Sequence, residues 1–181
     1  MSVSRRCARG VRGEAGAMTS HHVRPIGPHA LKELRATDDA GLPCVPFAAP
    51  EGGAPLRCCL RRSETGERIA LVSYAPLRRW AAETGARPGA YDEQGPVFVH
   101  SEECAGPDLV GHPFARPGVL RVLRRYSAEG HILGGRLLEI PDQPDEALDE
   151  ALDEAFADSS VALVHIRAVE HGCYLYEVHH P

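Results

Sequence analysis

Apolar and polar positions alternate most cleanly over Val161-Ala-Leu-Val-His-Ile-Arg-Ala-Val-Glu-His-Gly-Cys-Tyr-Leu-Tyr-Glu-Val178. A period of two marks a strand with one buried face, so this segment predicts a β-hairpin. A loop over 170–172, built from a type I turn and a bulge at Gly172, sets Val169 against Cys173, Arg167 against Leu175 and His165 against Glu177. That register collects His165, Arg167, Cys173 and Glu177 on one face. Ala162, Val164, Ile166, Tyr174, Tyr176 and Val178 fall on the other.

Weaker patterns fill in the rest of the chain. His22 to Ile26 reads as a short edge strand, and Pro28 to Arg35 as a short helix with Leu31 and Leu34 turned inward. The Pro- and Gly-rich stretch from Gly41 to Pro55 reads as a long loop. Leu56–Arg62 and Glu67–Tyr74 predict a hairpin around Ser63-Glu-Thr-Gly66, and Val119–Tyr126 and His131–Ile140 predict another around Ser127-Ala-Glu-Gly130. Leu56-Arg57, Arg61, Ser63 and Gly66 recur at one offset as Leu120-Arg121, Arg125, Ser127 and Gly130. The matching positions are too few to establish a duplication over similar turn chemistry. Each hairpin sets a pair of arginines on one strand face, Arg57 with Arg61 and Arg121 with Arg125. Gly95 to His100 is a further short strand, and Pro107 to Pro117 a loop.

One strong helix remains. Pro144 opens it, Leu148, Leu152 and Phe156 recur at four-residue steps with Ala147, Ala151 and Ala155 beside them, and the acids face water. It joins a strand ending at Ile140 to one beginning at Val161, and is a crossover if those strands are parallel. The elements together predict an α+β domain, mainly antiparallel sheet built from hairpins with one principal crossover helix.

Bulk properties narrow the function classes. The chain has 181 residues and a formal net charge of −5, enough for one domain with its own core. Residues 1–17 carry Arg5, Arg6, Arg9 and Arg12 against Glu14, have no periodicity and precede Met18. They read as a disordered tail or an over-long start, with the single domain over 18–181. The remainder is acidic, which argues against nucleic acid as partner. No apolar run approaches a membrane span. The six cysteines lack the spacing of a secreted disulfide framework and no signal peptide precedes them, so a reducing, cytoplasmic setting is expected.

Three sets of residues could carry chemistry. Cys173 with His165 is a candidate nucleophile pair, because an imidazole favours the thiolate; Glu177 opposite His165 would orient the ring. Arg57, Arg121, Arg125 and Arg167 form a candidate pocket for a small anionic molecule, since planar guanidinium groups grip carboxylate or phosphate through paired hydrogen bonds. His100, Cys104, His165, His171 and Cys173, with the terminal His179-His180, offer ligands suited to zinc, though at no zinc-finger spacing. Ordinary ion pairs and a buried thiol are the structural alternatives for each. No phosphate loop, dinucleotide fingerprint or Gly-x-Ser-x-Gly elbow is visible, and no cofactor is expected. Whether the chain is an enzyme stays open. A binder of a small anionic metabolite leads, with a non-catalytic interaction or regulatory module and a zinc-binding protein as alternatives.

The ordered series Pro55-Leu-Arg-Cys-Cys-Leu-Arg61, Gly66-Glu-Arg68, Gly95-Pro-Val-Phe-Val99, Arg125-Tyr126, Val164-His-Ile-Arg167 and Gly172-Cys173 resembles a bacterial family, domain of unknown function 1203. The resemblance runs from about Ile26 to His179. It implies a compact single-domain protein with recurring polar positions, and no activity. The family shows Gly-x-Pro-Cys-Arg before its first hairpin, whereas here Leu56 separates Pro55 from Arg57 and the cysteines follow the arginine.

Overall fold

Two antiparallel sheets carry the architecture of this computed structural model, which describes residues 21–108 and 110–180. The elements run β1 (Val23–Arg24), α1 (Pro28–Leu34), β2 (Pro46–Ala48), β3 (Arg68–Tyr74), α2 (Pro76–Thr84), a 3-10 turn (Gly89–Tyr91), β4 (Gly95–His100), β5 (Leu120–Ser127), β6 (Ile132–Glu139), α3 (Pro144–Phe156), β7 (Val161–Ala168) and β8 (Tyr174–His179). The larger sheet has the order β1-β8-β7-β5-β6 and the smaller β2-β3-β4. The α+β reading therefore holds. The tail assigned to residues 1–17 lies outside the described residues.

Helix α3 follows its sequence pattern. Pro144 sits in the first turn, where its missing N–H is no loss, with Asp145 and Glu146 beside it at the positive end of the helix dipole. Leu148, Leu152 and Phe156 pack with Leu123, Val164, Ile166, Tyr176 and Val178 from one face of the larger sheet. Strands β6 and β7 are each antiparallel to β5, which lies between them. They are thus parallel to one another, and α3 is the crossover that joins them.

The opposite face of the larger sheet meets the rest of the molecule. Tyr126 and Leu163 pack with Leu77 and Trp80 of α2. Tyr174 joins the core of the smaller sheet, among Ile69, Val72, Val97 and Val99. This face is set by a bulge that the alternation alone does not reveal. His165 pairs with Glu177 as expected and Gly172 takes φ 65°, but Ile166 pairs with Tyr176 and Arg167 with Tyr174 rather than Leu175. Ala168, not Val169, is bonded to Cys173, through its amide and the Cys173 carbonyl at 2.9 Å. Leu175 is the extra residue, and it drops into the α3 core. A bulge changes the side on which later residues point, so Tyr174 shares the face of His165 and Arg167, with ring centroids 5.1 Å apart for Tyr174 and His165.

The first expected hairpin is also different. Residues 56–62 form a compact turn rather than a strand: the Leu56 amide donates to the Arg61 carbonyl at 2.8 Å and the Leu60 amide to the Leu56 carbonyl at 2.9 Å. Leu60 takes φ 57°, a left-handed conformation that costs a non-glycine residue about 1 kcal/mol or more. It is held there because its side chain is 2% exposed in the α3 core while Cys58 and Cys59 face the smaller sheet's core. The supposed repeat therefore has no structural counterpart. The stretch from Gly41 to Pro55, read as a loop, contains β2, which pairs with β3 and completes the smaller sheet, and α2, in a stretch the pattern left unassigned, completes the core around Trp80.

Candidate metal centre

The turn over 56–62 lies against the end of β4. Leu56 bridges to Phe98, and the Arg57 amide donates to the Phe98 carbonyl at 2.9 Å. This docking presents Cys58 and Cys59 to His100, the last residue of β4, and Cys104 follows on the next loop. The ligand atoms of Cys58, Cys59, His100 and Cys104 lie within 4.8 Å of one another. The Cys58 and Cys59 sulfurs are 4.0 Å apart, and they lie 3.2 and 3.7 Å from His100 Nδ1. Zinc bonds to sulfur and nitrogen require ligand–ligand edges of about 3.5–3.8 Å in a tetrahedron. The three edges among Cys58, Cys59 and His100 are close to these lengths.

The surroundings favour the ligating protonation states of His100 and Cys59, but not that of Cys58. Glu67 is pulled down to about 2, first by its hydrogen bond from Arg61 against the cost of burial, and then by bonds from the Glu64 amide and His100. An ionised Glu67 accepts from His100 Nε2 at 2.7 Å, which places the proton on Nε2 and leaves the Nδ1 lone pair facing the sulfurs. A carboxylate behind the histidine in this way orients a metal-bound imidazole and raises its basicity. The Cys59 thiol is lowered, chiefly by a hydrogen bond from Cys58 and also by the Arg61 amide and the electrostatic influence of His100 and Arg61, while burial opposes. Cys58 shifts upward as the donor of that bond, and its sulfur accepts the His100 amide at 3.2 Å. A surface depression of about 310 Å³ lined by Arg61, Glu67, Glu102, Glu103 and Cys104 opens onto the cluster and gives an ion a way in.

The expected site residues divide among several places. His100 and Cys104 belong to this cluster, but His165, His171 and Cys173 stand elsewhere in the molecule. His179 Nε2 is bonded to Glu177 at 2.9 Å, and the His180 ring packs on Phe156 with centroids 5.3 Å apart. The four arginines do not converge. Arg121 and Arg125 pair with Ala168 and Val164, on the α3 face with Leu123. Arg121 donates to the Phe114 carbonyl at 2.7 Å and the Leu120 carbonyl at 2.6 Å, and Arg125 lines a cavity under Ala151 and Ala155. Arg57 is 3% exposed and donates to the carbonyls of Pro55 and Tyr174; burial lowers it to about 10. Arg167 lies on the opposite face from Arg121 and Arg125 and contacts Glu93 at 2.5 Å.

Of the proposed nucleophile set, only His165 and Glu177 come together, and at 3.7 Å they exceed hydrogen-bonding distance. Cys173 approaches the His171 carbonyl at 3.6 Å, and among the described residues no hydrogen bond joins it to His165. Sequence reading passed over Cys58 and Cys59 as ligands. The available signal was the tandem cysteine pair itself, to be set beside His100 and Cys104 at four-residue spacing, but their convergence depends on the left-handed Leu60 turn.

A family model described as a protein of unknown function (DUF1203) matches residues 53–180. That span contains all four cluster residues. No curated protein matches the chain, and no solved structure matches it.

Proposed function

The chain belongs to the DUF1203 family, and because that membership carries no assigned activity, we propose from its geometry that it binds one thiophilic divalent metal ion, zinc first, through Cys58, Cys59, His100 and Cys104. The observation that carries this reading is the convergence of three sulfurs and one imidazole nitrogen within 4.8 Å, backed by the Glu67 carboxylate on the outer nitrogen of His100. Three thiolates and an imidazole are a soft donor set that suits zinc over magnesium or calcium. Four protein ligands fill a tetrahedron and leave no position for substrate, so the ion would staple the 56–62 turn and the loop after β4 to the smaller sheet. A reducing, cytoplasmic setting is part of the same proposal, since Cys44, Cys58, Cys59, Cys104 and Cys173 are all free thiols and ligation requires thiolates. Among the described residues no helix is long and apolar enough to cross a membrane.

Elemental analysis of untagged protein purified under reducing conditions without chelator tests the reading. One zinc per chain is expected, and Cys58→Ser or Cys104→Ser should lower it well below stoichiometric. Metal-free wild-type protein that also fails to take up added zinc or cobalt would overturn it.

A further inference from the structure

Far from the sulfur cluster, on the α2 face of the larger sheet, a group of polar atoms lacks partners. Seven buried side-chain polar atoms among the described residues have no hydrogen bond, and four of them are His165 Nδ1, His165 Nε2, Tyr126 Oη and Tyr174 Oη. These atoms belong to three rings in contact. His165 lies 4.6 Å from Tyr126 and 5.1 Å from Tyr174, centroid to centroid. His165 and Tyr126 are 0% exposed and Tyr174 is 5% exposed. Burial pushes the Tyr126 phenol up, while a polar contact with Arg124 and that residue's charge draw it down; the contact is not a well-aligned hydrogen bond. Each buried polar group left unpaired costs about 1–3 kcal/mol, so proteins satisfy nearly all of them with protein, water or ligand. Four gathered in one place indicate a place for a polar guest.

Arg124 and Arg167 stand beside this group. Arg124 pairs with His165 across β5 and β7, and Arg167 follows His165 by two residues on the same face. Both guanidinium Nη1 atoms converge on one oxygen of Glu93, at 2.6 and 2.5 Å. Glu93 comes from the short irregular segment between the 3-10 turn and β4, and its side chain is 43% exposed, against 27% and 13% for the two arginines. The carboxylate is thus a loosely anchored plug over two better-buried cations. A cleft of about 220 Å³ opens beside Glu93, Arg167 and Tyr174, with His171 and Cys173 also in its lining, while Arg124, His165 and Tyr126 are not part of that lining. The cleft is smaller than the roughly 300–1,000 Å³ typical of drug-sized ligands, and its lining mixes polar and apolar surface.

We infer that Arg124 and Arg167, with Tyr174 and His165 behind them, form a second binding site for a small carboxylate bearing a hydroxyl, which competes with Glu93 for the two guanidinium groups. The ligand carboxylate replaces the Glu93 oxygen between Arg124 and Arg167. Its hydroxyl gives Tyr174 or His165 the partner that the protein withholds. A carboxylate without the hydroxyl meets only the first requirement, and a neutral polyol only the second. The site is independent of the metal centre and does not use the dispersed Arg57, Arg121 and Arg125.

Glycolate, acetate and glycerol titrated into protein with 15N-labelled histidine test this inference, with the His165 ring nitrogens as reporter. Glu93→Gln removes the internal competitor from an exposed segment and should tighten saturable glycolate binding at least about tenfold, equivalent to 1.4 kcal/mol. The His165 resonances should move with glycolate and stay with acetate, and glycerol should not bind. Adding Arg167→Gln to Glu93→Gln, with the fold verified by circular dichroism, should abolish binding. If that double variant does not fold, the Glu93→Gln comparison decides alone. Absence of saturable glycolate binding to Glu93→Gln, equal binding of glycolate and acetate, or binding indifferent to Arg167 in a folded variant would each overturn the inference.

Discussion

Cys58 and His100 meet twice: the sulfur accepts the His100 amide at 3.2 Å and stands 3.2 Å from the Nδ1 atom of the same residue. An amide directed at sulfur stabilises thiolate whether or not a metal is present, and the nearby imidazole nitrogen completes one edge of a coordination polyhedron. Cobalt substituted for zinc should therefore show thiolate-to-metal charge-transfer absorption together with the visible bands of tetrahedral coordination. Replacing Cys58 or Cys59 with Ser should weaken the charge-transfer band, whereas Cys173→Ser should leave both features unchanged. A spectrum of octahedral, oxygen-bound cobalt in the wild type would contradict the ligand set.

Glu67 acts on the metal through His100 and not by contact. Glu67→Gln keeps the shape but removes the charge that fixes the proton on His100 Nε2 and pairs with Arg61. Loss of such an outer partner lowers metal affinity about 10- to 100-fold. Competition against a chromophoric chelator should show that drop with zinc stoichiometry preserved at saturation. An unchanged affinity would make the carboxylate a mere partner of Arg61.

Metal removal should reach the fold, because the ligands come from the 56–62 turn, β4 and the loop after it. Zinc at about 1,000 times its dissociation constant adds about 4 kcal/mol to the native state, or a rise of about 10 °C in Tm for a chain of this size. Differential scanning calorimetry with and without chelator, under reducing conditions, measures it. Coincident transitions would place the ion outside the folding unit.

The parts legible in the sequence are those governed by local periodicity. Helix α3 over Pro144–Phe156 and strand β4 over Gly95–His100 coincide with their patterns, because a four-residue apolar step or a short alternating run admits one solution against a sheet. What failed were places where one residue leaves the period. Leu175 is inserted opposite the Ile166/Arg167 step, and its burial under α3 carries Tyr174 to the His165 face. Leu60 at φ 57° turns an apparent strand into a turn. Arg124 escaped notice because alternation from Arg125 placed the neighbouring arginine in view, while pairing sets Arg124 beside His165 and turns Arg125 toward Val164. Both sites depend on these local departures and on contacts distant in sequence, which alternation does not encode.

The α3 core supplies a test of the larger sheet. Leu152 is 0% exposed and packs in the same cluster as Ile166, Tyr176 and Leu175. Leu152→Ala should cost about 2–5 kcal/mol in urea unfolding, the transfer loss plus the cavity left behind. The metal stoichiometry of the surviving folded fraction should remain at the wild-type value, since Cys58 and Cys59 pack with the smaller sheet and only Leu60 of their turn reaches the α3 core. A cost below 1 kcal/mol would mean that α3 is only loosely applied to the sheet.

His165 makes acid stability a separate observable. Burial is the chief cause that holds it well below the ordinary histidine value of 6.5, and Arg167, Arg124 and His179 add repulsion. Glu177 stands 3.7 Å away and Glu93 offsets one of the two arginine charges, while Tyr126 and Tyr174 face the ring as neutral phenols. The folded state thus binds the His165 proton more weakly than the unfolded chain does. Its contribution to stability is complete above about pH 6.5, and is lost as pH falls from there toward the depressed folded value, at up to about 1.4 kcal/mol per pH unit. His165→Phe keeps an aromatic ring between the tyrosines and removes the titrating nitrogens, so the slope of unfolding free energy between pH 6.5 and about 5 should flatten by close to one proton. Urea melts of the two proteins across that interval measure the difference; parallel pH profiles would show that His165 is protonated, or already solvated, in the native state.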